Sequence, residues 1–258
     1  MTRVLAVANQ KGGVGKTTTA INLGAALAQR GHQVLLFDMD PQANASAGLG
    51  VRAQPGRSTY EVLLGGVALQ EIVVETACPG LWLAPSAADL AGAEIELTEM
   101  DEREFRLKRA LEGRIESYAF VLIDSPPSVG LLTVNGLIAA DEVIVPVQCE
   151  YLALEGLGQF TQTLELVRRN LNPRLRLRGL LLTMFDRRTN LSYQVAEEVR
   201  RHFANTFRAM IPRSVRLSEA PSHGLPISVY DEHSPAAEAY DALAEELLEA
   251  VATAGVAS

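Results

Sequence analysis

The run Val4-Leu5-Ala6-Val7-Ala8 is apolar without interruption, the pattern of a parallel strand buried on both faces. Comparable runs recur at 33–37, at 81–84 closed by Pro85, at 118–124, at 142–147 and within 177–185. Between them the period changes to that of helices. Residues 19–28 have the spacing of a packed helix, with Gly31 as its expected C-cap. Residues 89–98 and 101–116 read as charged surface helices, and 152–171 as a long helix. Leu191, Val195, Val199 and Phe203 recur four apart on one helical face, and 236–251 forms a closing amphipathic helix. Weaker patterns predict a helical turn or two at 58–64, a loop with at most a short helix at 43–56, and short strands at 209–211 and 227–229. Apolar strands alternating with helices predict an α/β fold: a doubly wound, mostly parallel sheet with helices on both faces. No repeat or long linker interrupts the chain, so 1–258 is expected to be a single domain.

Composition adds bounds. With 258 residues, 48% hydrophobic and 21% charged, the chain has ordinary globular composition. No run is long enough to span a membrane, and the first strand leaves no room for a signal peptide, so a cytoplasmic protein is expected. Cys78 and Cys149 stand alone, without CxxC spacing, and are expected to be reduced, partly buried thiols. The net charge of −8 argues against nucleic acid, but its distribution does not. From Arg168 to Arg216 there are twelve arginines and three acids, a local charge of +9 against −17 for the remainder. No Lys or Arg follows Arg216, while eight acids do. This asymmetry predicts one basic face on an acidic body.

The chemistry concentrates at Asn9-Gln10-Lys11-Gly12-Gly13-Val14-Gly15-Lys16-Thr17-Thr18, between the first strand and the first helix. Strand, glycine loop, Gly-Lys-Thr and helix together make a phosphate loop. Glycines let backbone N–H groups of Gly12, Gly13, Val14, Gly15, Lys16, Thr17 and Thr18 close around phosphate oxygens, and the helix N-terminus adds unpaired donors. Lys16 is expected to reach the β- and γ-phosphates and Thr17 to ligate Mg²⁺. Packing alone would explain the glycines but not Lys16-Thr17. Asp124 ends an apolar strand run and is expected in the Mg²⁺ water shell. Asp38 and Asp40 leave the strand beside the loop; Asp40 is placed to orient the attacking water, and Asp38 to hold either the Mg²⁺ shell or the loop.

Lys11-Gly-Gly-Val-Gly-Lys-Thr-Thr18, with a second lysine at its first position, resembles the deviant phosphate loop of the ParA/MinD family of dimerising ATPases. The resemblance implies that Lys11 crosses the dimer interface to the partner's phosphates. It also implies that Asp38-Met39-Asp40-Pro41-Gln42 is the first switch, with hydrolysis assigned to Asp40, and Asp124-Ser125-Pro126-Pro127-Ser128 the second. The segments 146–156, 182–186 and 211–222 are similar to the Soj-like, chromosome-partitioning branch. By that likeness Pro212 and Arg213 are candidate adenine contacts, and Met184 is a further candidate nucleotide-binding residue. Arg188 and Arg216 match DNA-contacting positions, and Arg187, where relatives more often carry a small residue, adds a charge beside them. The implied function is a slow Mg²⁺-dependent ATPase whose ATP-sandwich homodimer binds DNA non-specifically on the nucleoid. A ParB-type partner would stimulate hydrolysis and release it. A plasmid-type helix-turn-helix extension is not expected, since Arg3 already precedes the first strand.

Three rival functions each need a feature of their own. A MinD-like membrane-cycling ATPase of division-site placement needs a basic amphipathic C-terminal helix, and 217–258 hold no Lys or Arg. An iron–sulfur redox protein needs cluster cysteines that Cys78 and Cys149 do not resemble. A metabolic kinase or ligase needs a substrate pocket that the sequence does not reveal.

Overall fold

The structure is a computed structural model that describes residues 2–151 and 153–255. Eight strands form one sheet: β1 (Arg3–Val7), β2 (Val34–Asp38), β3 (Val74–Glu75), β4 (Leu81–Ala84), β5 (Phe120–Asp124), β6 (Glu142–Gln148), β7 (Arg176–Phe185) and β8 (Thr206–Pro212). Their order is β3-β4-β2-β5-β1-β6-β7-β8, and every neighbouring pair is parallel except β3–β4. The doubly wound sheet is thus the one predicted. Its order reverses around β1, which lies between β5 and β6; such a switch point is where ligands bind in open α/β sheets.

Alternation along each strand feeds two cores. Val4, Ala6, Leu35, Phe37, Val121 and Ile123 face the side that packs against Leu90, Leu107, Leu137, Leu157 and Phe160. Leu5, Val7, Val34, Leu36, Phe120 and Leu122 face the side covered by helix Lys16–Gln29 and helix Pro235–Gly255. At Gly24, a Cβ would come within 3.0 Å of Leu81 Cδ1 and 3.3 Å of Leu122 Cδ1, so the missing side chain lets the first helix lie close on the sheet. Close seating fixes the height of that helix's N-terminus above the strand ends.

Most elements lie where the pattern put them, and four differ. Residues 227–229 were expected as a strand, but Ile227–Tyr230 is a short helix. There the Ile227 N–H is taken by Asn22 Oδ1 at 2.7 Å, and the Val229 and Tyr230 N–H groups turn back to the Pro226 carbonyl. Those three donors are thus lost to a ladder. The stretch 101–116 is not one surface helix but a 3₁₀ turn, Arg103–Phe105, followed by Arg106–Leu111. The Asn135 side chain sets the turn by accepting from the Leu107 N–H and donating to the Arg103 carbonyl, while Leu90, Ala93, Leu97, Leu107 and Leu111 are core residues. Strand β3, only two residues long, was not foreseen, although the apolar run Ile72-Val73-Val74 leads into it. Helix Asn190–His202 buries Val195 and Val199 as expected but leaves Leu191 43% exposed. The long helix expected from 152 is Ala153–Asn170; Leu152 and the last three residues, 256–258, lie outside the described residues.

Candidate nucleotide-binding site

Beyond β1, buried Asn9 anchors the glycine loop. Its Nδ2 donates to the Pro146 carbonyl at 2.8 Å and its Oδ1 accepts from the Lys11 N–H at 3.0 Å. Gly13 and Gly15 have φ of 73° and 89°, left-handed backbone that glycine adopts without strain. Thr183 Oγ1 donates to the Val14 carbonyl at 2.9 Å and ties the loop to the end of β7. Helix Lys16–Gln29 starts at Gly15 with no side-chain cap and no acid in its first turn. Its leading N–H groups are therefore left for an anion.

The two lysines of the loop are placed differently. Lys16 is 6% exposed and its Nζ donates to the Lys11 carbonyl at 3.0 Å, inside the cradle. Burial lowers its pKa, while the charges of Asp124 and Asp40 work the other way. Lys11 presents only its backbone carbonyl to Lys16; its ammonium lies 3.9 Å from Glu150 Oε2 on a side chain 35% exposed.

Three carboxylates face the loop from neighbouring strand ends. Sheet register puts Asp124 beside both Val7 and Asp38. Asp38 is fully buried and saturated: Oδ1 accepts from the Asp40 N–H at 3.1 Å, and Oδ2 from the Ser46 N–H at 2.9 Å and Ser46 Oγ at 2.6 Å. Ser46 Oγ in turn accepts from the Ser86 N–H, and Ser86 Oγ donates to the Asp40 carbonyl. Of the two tasks expected of Asp38, these bonds describe the holding of the loop. Burial raises its pKa to about 6 against the pull of those donors. Asp40 accepts the Gln42 N–H on Oδ1 at 2.9 Å, an Asx turn.

Asp124 is different. It is fully buried, and neither carboxylate oxygen has a hydrogen-bond partner of ordinary geometry; the adjacent Ser125 hydroxyl is also unpaired. Burial first, then the charge of Asp38, pushes the Asp124 carboxyl well above the usual range, with the Thr17 hydroxyl and Lys16 holding it down. An unpaired buried carboxylate beside a threonine hydroxyl fits a hydrated Mg²⁺ ion. Among the described residues there is no group of three or more His, Cys, Asp or Glu side chains arranged to hold a metal. A cation there would need phosphate oxygens to complete its shell.

Next to the loop opens a pocket of about 350 Å³ lined by Gly15, Thr18, Met184, Pro212 and Arg213, which joins these three predicted nucleotide contacts, 184, 212 and 213, to the phosphate loop. Met184 is left-handed at φ 53°, a strained setting for a side chain with a Cβ. Thr183, Ile211, Ser214, Leu217, Ser218, Pro221 and Tyr240 also line it and were not foreseen. The buried Tyr240 hydroxyl lies 3.4 Å from Thr19 Oγ1. A larger cavity, about 510 Å³, is lined by Thr2, Lys108, Glu112 and Glu116 and shares no residue with the loop. Cys78 and Cys149 are free and buried, and burial pushes the Cys149 thiol up to about 11, the opposite of a cluster ligand's tendency.

The expected basic face is smaller in space than along the chain. Seven of the twelve arginines between 168 and 216 pair with carboxylates, mostly from outside that stretch: Arg168 and Arg169 with Glu165, Arg178 with Glu142, Arg188 with Asp186, Arg201 with Glu198, Arg208 with Glu249 and Arg216 with Glu219. Arg187 and Arg213 are exposed and make no ion pair among the described residues.

The buried carboxylates give a pH signature. Asp38 and Asp124 hold a proton more tightly folded than unfolded, so with no nucleotide bound the fold loses stability as pH rises from the ordinary carboxylate value through the folded one, about 6 for Asp38. Asp124→Asn removes its share. In nucleotide-free, chelated buffer the variant's stability relative to wild type should rise as pH climbs above the ordinary carboxylate range. Thermal melts check this, and a difference that does not change with pH contradicts it.

A family model, AAA_31, an AAA domain, matches residues 2–177. The chain is 54% identical over 250 residues to the chromosome partitioning protein ParA of Caulobacter vibrioides, covering 95% of this chain and 94% of that protein. It is 52% identical over 249 residues to the sporulation initiation inhibitor protein Soj of Bacillus subtilis, covering 96% and 98%. Among solved structures, a cobyrinic acid a,c-diamide synthase of Mycobacterium smegmatis with bound ADP and magnesium superimposes with a TM-score of 0.85 at 44% identity, covering 96% of this chain and 94% of that one. The family match and the near-full-length identities agree with the phosphate loop, the carboxylate edge and the base pocket: the chain belongs to the ParA/Soj family of chromosome-partitioning ATPases.

Proposed function

We propose that the chain is a Mg²⁺-dependent ATPase of chromosome or plasmid partitioning, working as one domain over 1–258 in the cytoplasm and on the nucleoid. ATP joins two copies into a sandwich dimer, the dimer binds DNA without sequence preference, and a ParB-type partner stimulates the hydrolysis that releases it. The observation that carries this reading is the division of labour between the lysines. Lys16 is buried in its own phosphate cradle, whereas the Lys11 ammonium stands outside it, available to a second copy.

The backbone N–H groups of 12–18 bind the phosphates, and Lys16 neutralises their charge. Thr17 and Asp124 would hold Mg²⁺, which would supply further neutralisation of the phosphate charge. Asp40, fixed by its own turn and by the Asp38–Ser46–Ser86 chain, orients the attacking water. Met184, Pro212 and Arg213 receive the base. Turnover in an isolated chain is slow, because the transition-state charge is met in full only when Lys11 of a second copy arrives. The membrane-cycling alternative is disfavoured by helix Pro235–Gly255, which has no Lys or Arg and whose Tyr240, Leu243, Ala244 and Leu247 are spent on the core.

Lys16→Ala should weaken ATP binding by roughly 100-fold or more, as expected for losing the cation of a buried charge pair. Lys11→Ala should keep ATP affinity within about threefold, as for a partly exposed charge, yet lose ATP-dependent dimerisation and turnover. Calorimetry and size-exclusion chromatography read the two effects, and equal loss of ATP affinity in both variants would remove the trans assignment.

The function itself is tested by DNA binding to unrelated duplexes without nucleotide, with ADP and with ATP. Binding should require ATP, show little sequence preference and weaken steeply with salt. Arg216→Glu should abolish it while ATP-dependent dimerisation persists. Binding that is indifferent to nucleotide, or to Arg216, would exclude this reading.

A further inference from the structure

The two arginines assigned to DNA are both closed by acids of their own chain. Asp186, only 17% exposed, accepts from the Arg188 N–H at 3.0 Å, from its Nε at 2.9 Å and from its Nη2 at 2.8 Å. The fork holds the Asp186 carboxyl well below the usual carboxylate range. Arg216 Nη1 lies 3.1 Å from Glu219 Oε2 and its Nε 3.4 Å from Asp231 Oδ2, with the guanidinium 5.9 Å from the centre of the Tyr230 ring. The Tyr230 hydroxyl donates to the same Glu219 oxygen at 3.3 Å, which fixes the acid against its arginine. Asp186 and Glu219 stand two and three residues from the arginines they hold, so the pairing travels with the segment. Their neighbours Arg187 and Arg213 form no such fork with an acid among the described residues, although the Arg213 charge also acts on Asp186.

Both closed segments also form walls of the nucleotide pocket. Met184, strained at φ 53°, lies two residues before Asp186. Ser214 and Leu217, which bracket Arg216, line the same pocket, and Ser214 caps the helix that carries it, Val215–Glu219. The Arg213 N–H donates to the Phe185 carbonyl at 3.0 Å, joining the two walls.

We propose that Asp186 and the Glu219–Asp231 pair are carboxylate latches on the DNA-contacting arginines, holding the single chain's DNA surface below the strength needed to bind. This deepens the DNA-binding reading above and rests on it. A guanidinium fork engaged by a carboxylate cannot offer the same N–H groups to a phosphate, so DNA must displace the acid at both Arg188 and Arg216. One exposed pair changes affinity only by a small factor. The factor recurs at each latched arginine, and the dimer alone brings enough phosphate contacts to overcome all of them together. The acids thereby sharpen the dependence on ATP rather than merely weaken binding.

Asp186→Asn keeps an oxygen for the Arg188 N–H and removes the charge; Glu219→Gln does the same at Arg216. Fluorescence anisotropy on a short labelled duplex, with ATP and separately with ADP, over about 50–300 mM salt, reads the result, and melting curves establish that each variant is folded. Each variant with ATP should bind DNA roughly two- to fivefold more tightly than wild type. The double variant should multiply the gains and bind measurably with ADP. If wild type binds with ATP and neither variant binds more tightly, the latch is overturned and the DNA reading stands. If wild type does not bind DNA with ATP, both fall.

Discussion

Two carboxylates side by side at the ends of neighbouring strands, both out of water, are the constraint on which this structure depends. Register forces Asp38 and Asp124 together, and burial makes each costly to ionise. The chain resolves them in opposite ways. Asp38 is given three donors and becomes the fixed point of the loop that carries Asp40. Asp124 has no donor of ordinary geometry, only the Thr17 hydroxyl beside it and Lys16 as the nearby cation. A folded protein tolerates an orphaned buried carboxylate where a ligand completes it, and here the ligand side is a cradle of N–H groups at an uncapped helix start.

From that arrangement a route runs outward. The Asp38–Ser46–Ser86 chain ends on the Asp40 carbonyl, so the position of the proposed hydrolytic acid is tied to the metal-facing strand ends. On the other side, Thr183 bonds the loop at Val14, and its neighbour Met184 opens the wall that leads to Asp186 and Arg188. The glycine loop, the adjoining pocket and Arg188 are thus joined through a few residues at the end of β7.

Much of this was legible in the sequence because it is carried by contiguous stretches. The loop, its flanking strand and helix, the strand-ending acids and the pocket-lining residues 184, 212 and 213 all sit in runs whose pattern or resemblance is local. What escaped depends on residues far apart in the chain. Tyr240 reaches the pocket from the last described helix, and Asn22 converts a β-branched stretch at 227–229 into a helical turn by taking one N–H. Charge was the least legible property. A surplus of +9 counted along the chain is largely paired once Glu142, Glu165, Glu219 and the acids of helix Pro235–Gly255 fold against it.

The central claim is that the Asp124 edge is completed by cation and nucleotide phosphate together, and by neither alone. Thermal melting with Mg²⁺ alone, with ATP in chelator, and with both tests it directly, since a ligand raises the melting temperature only as far as it binds the folded state. The account predicts almost no shift with Mg²⁺, a modest shift with ATP, and a shift with both that clearly exceeds their sum. A full shift with ATP in chelator, or a large one with Mg²⁺ alone, would contradict it.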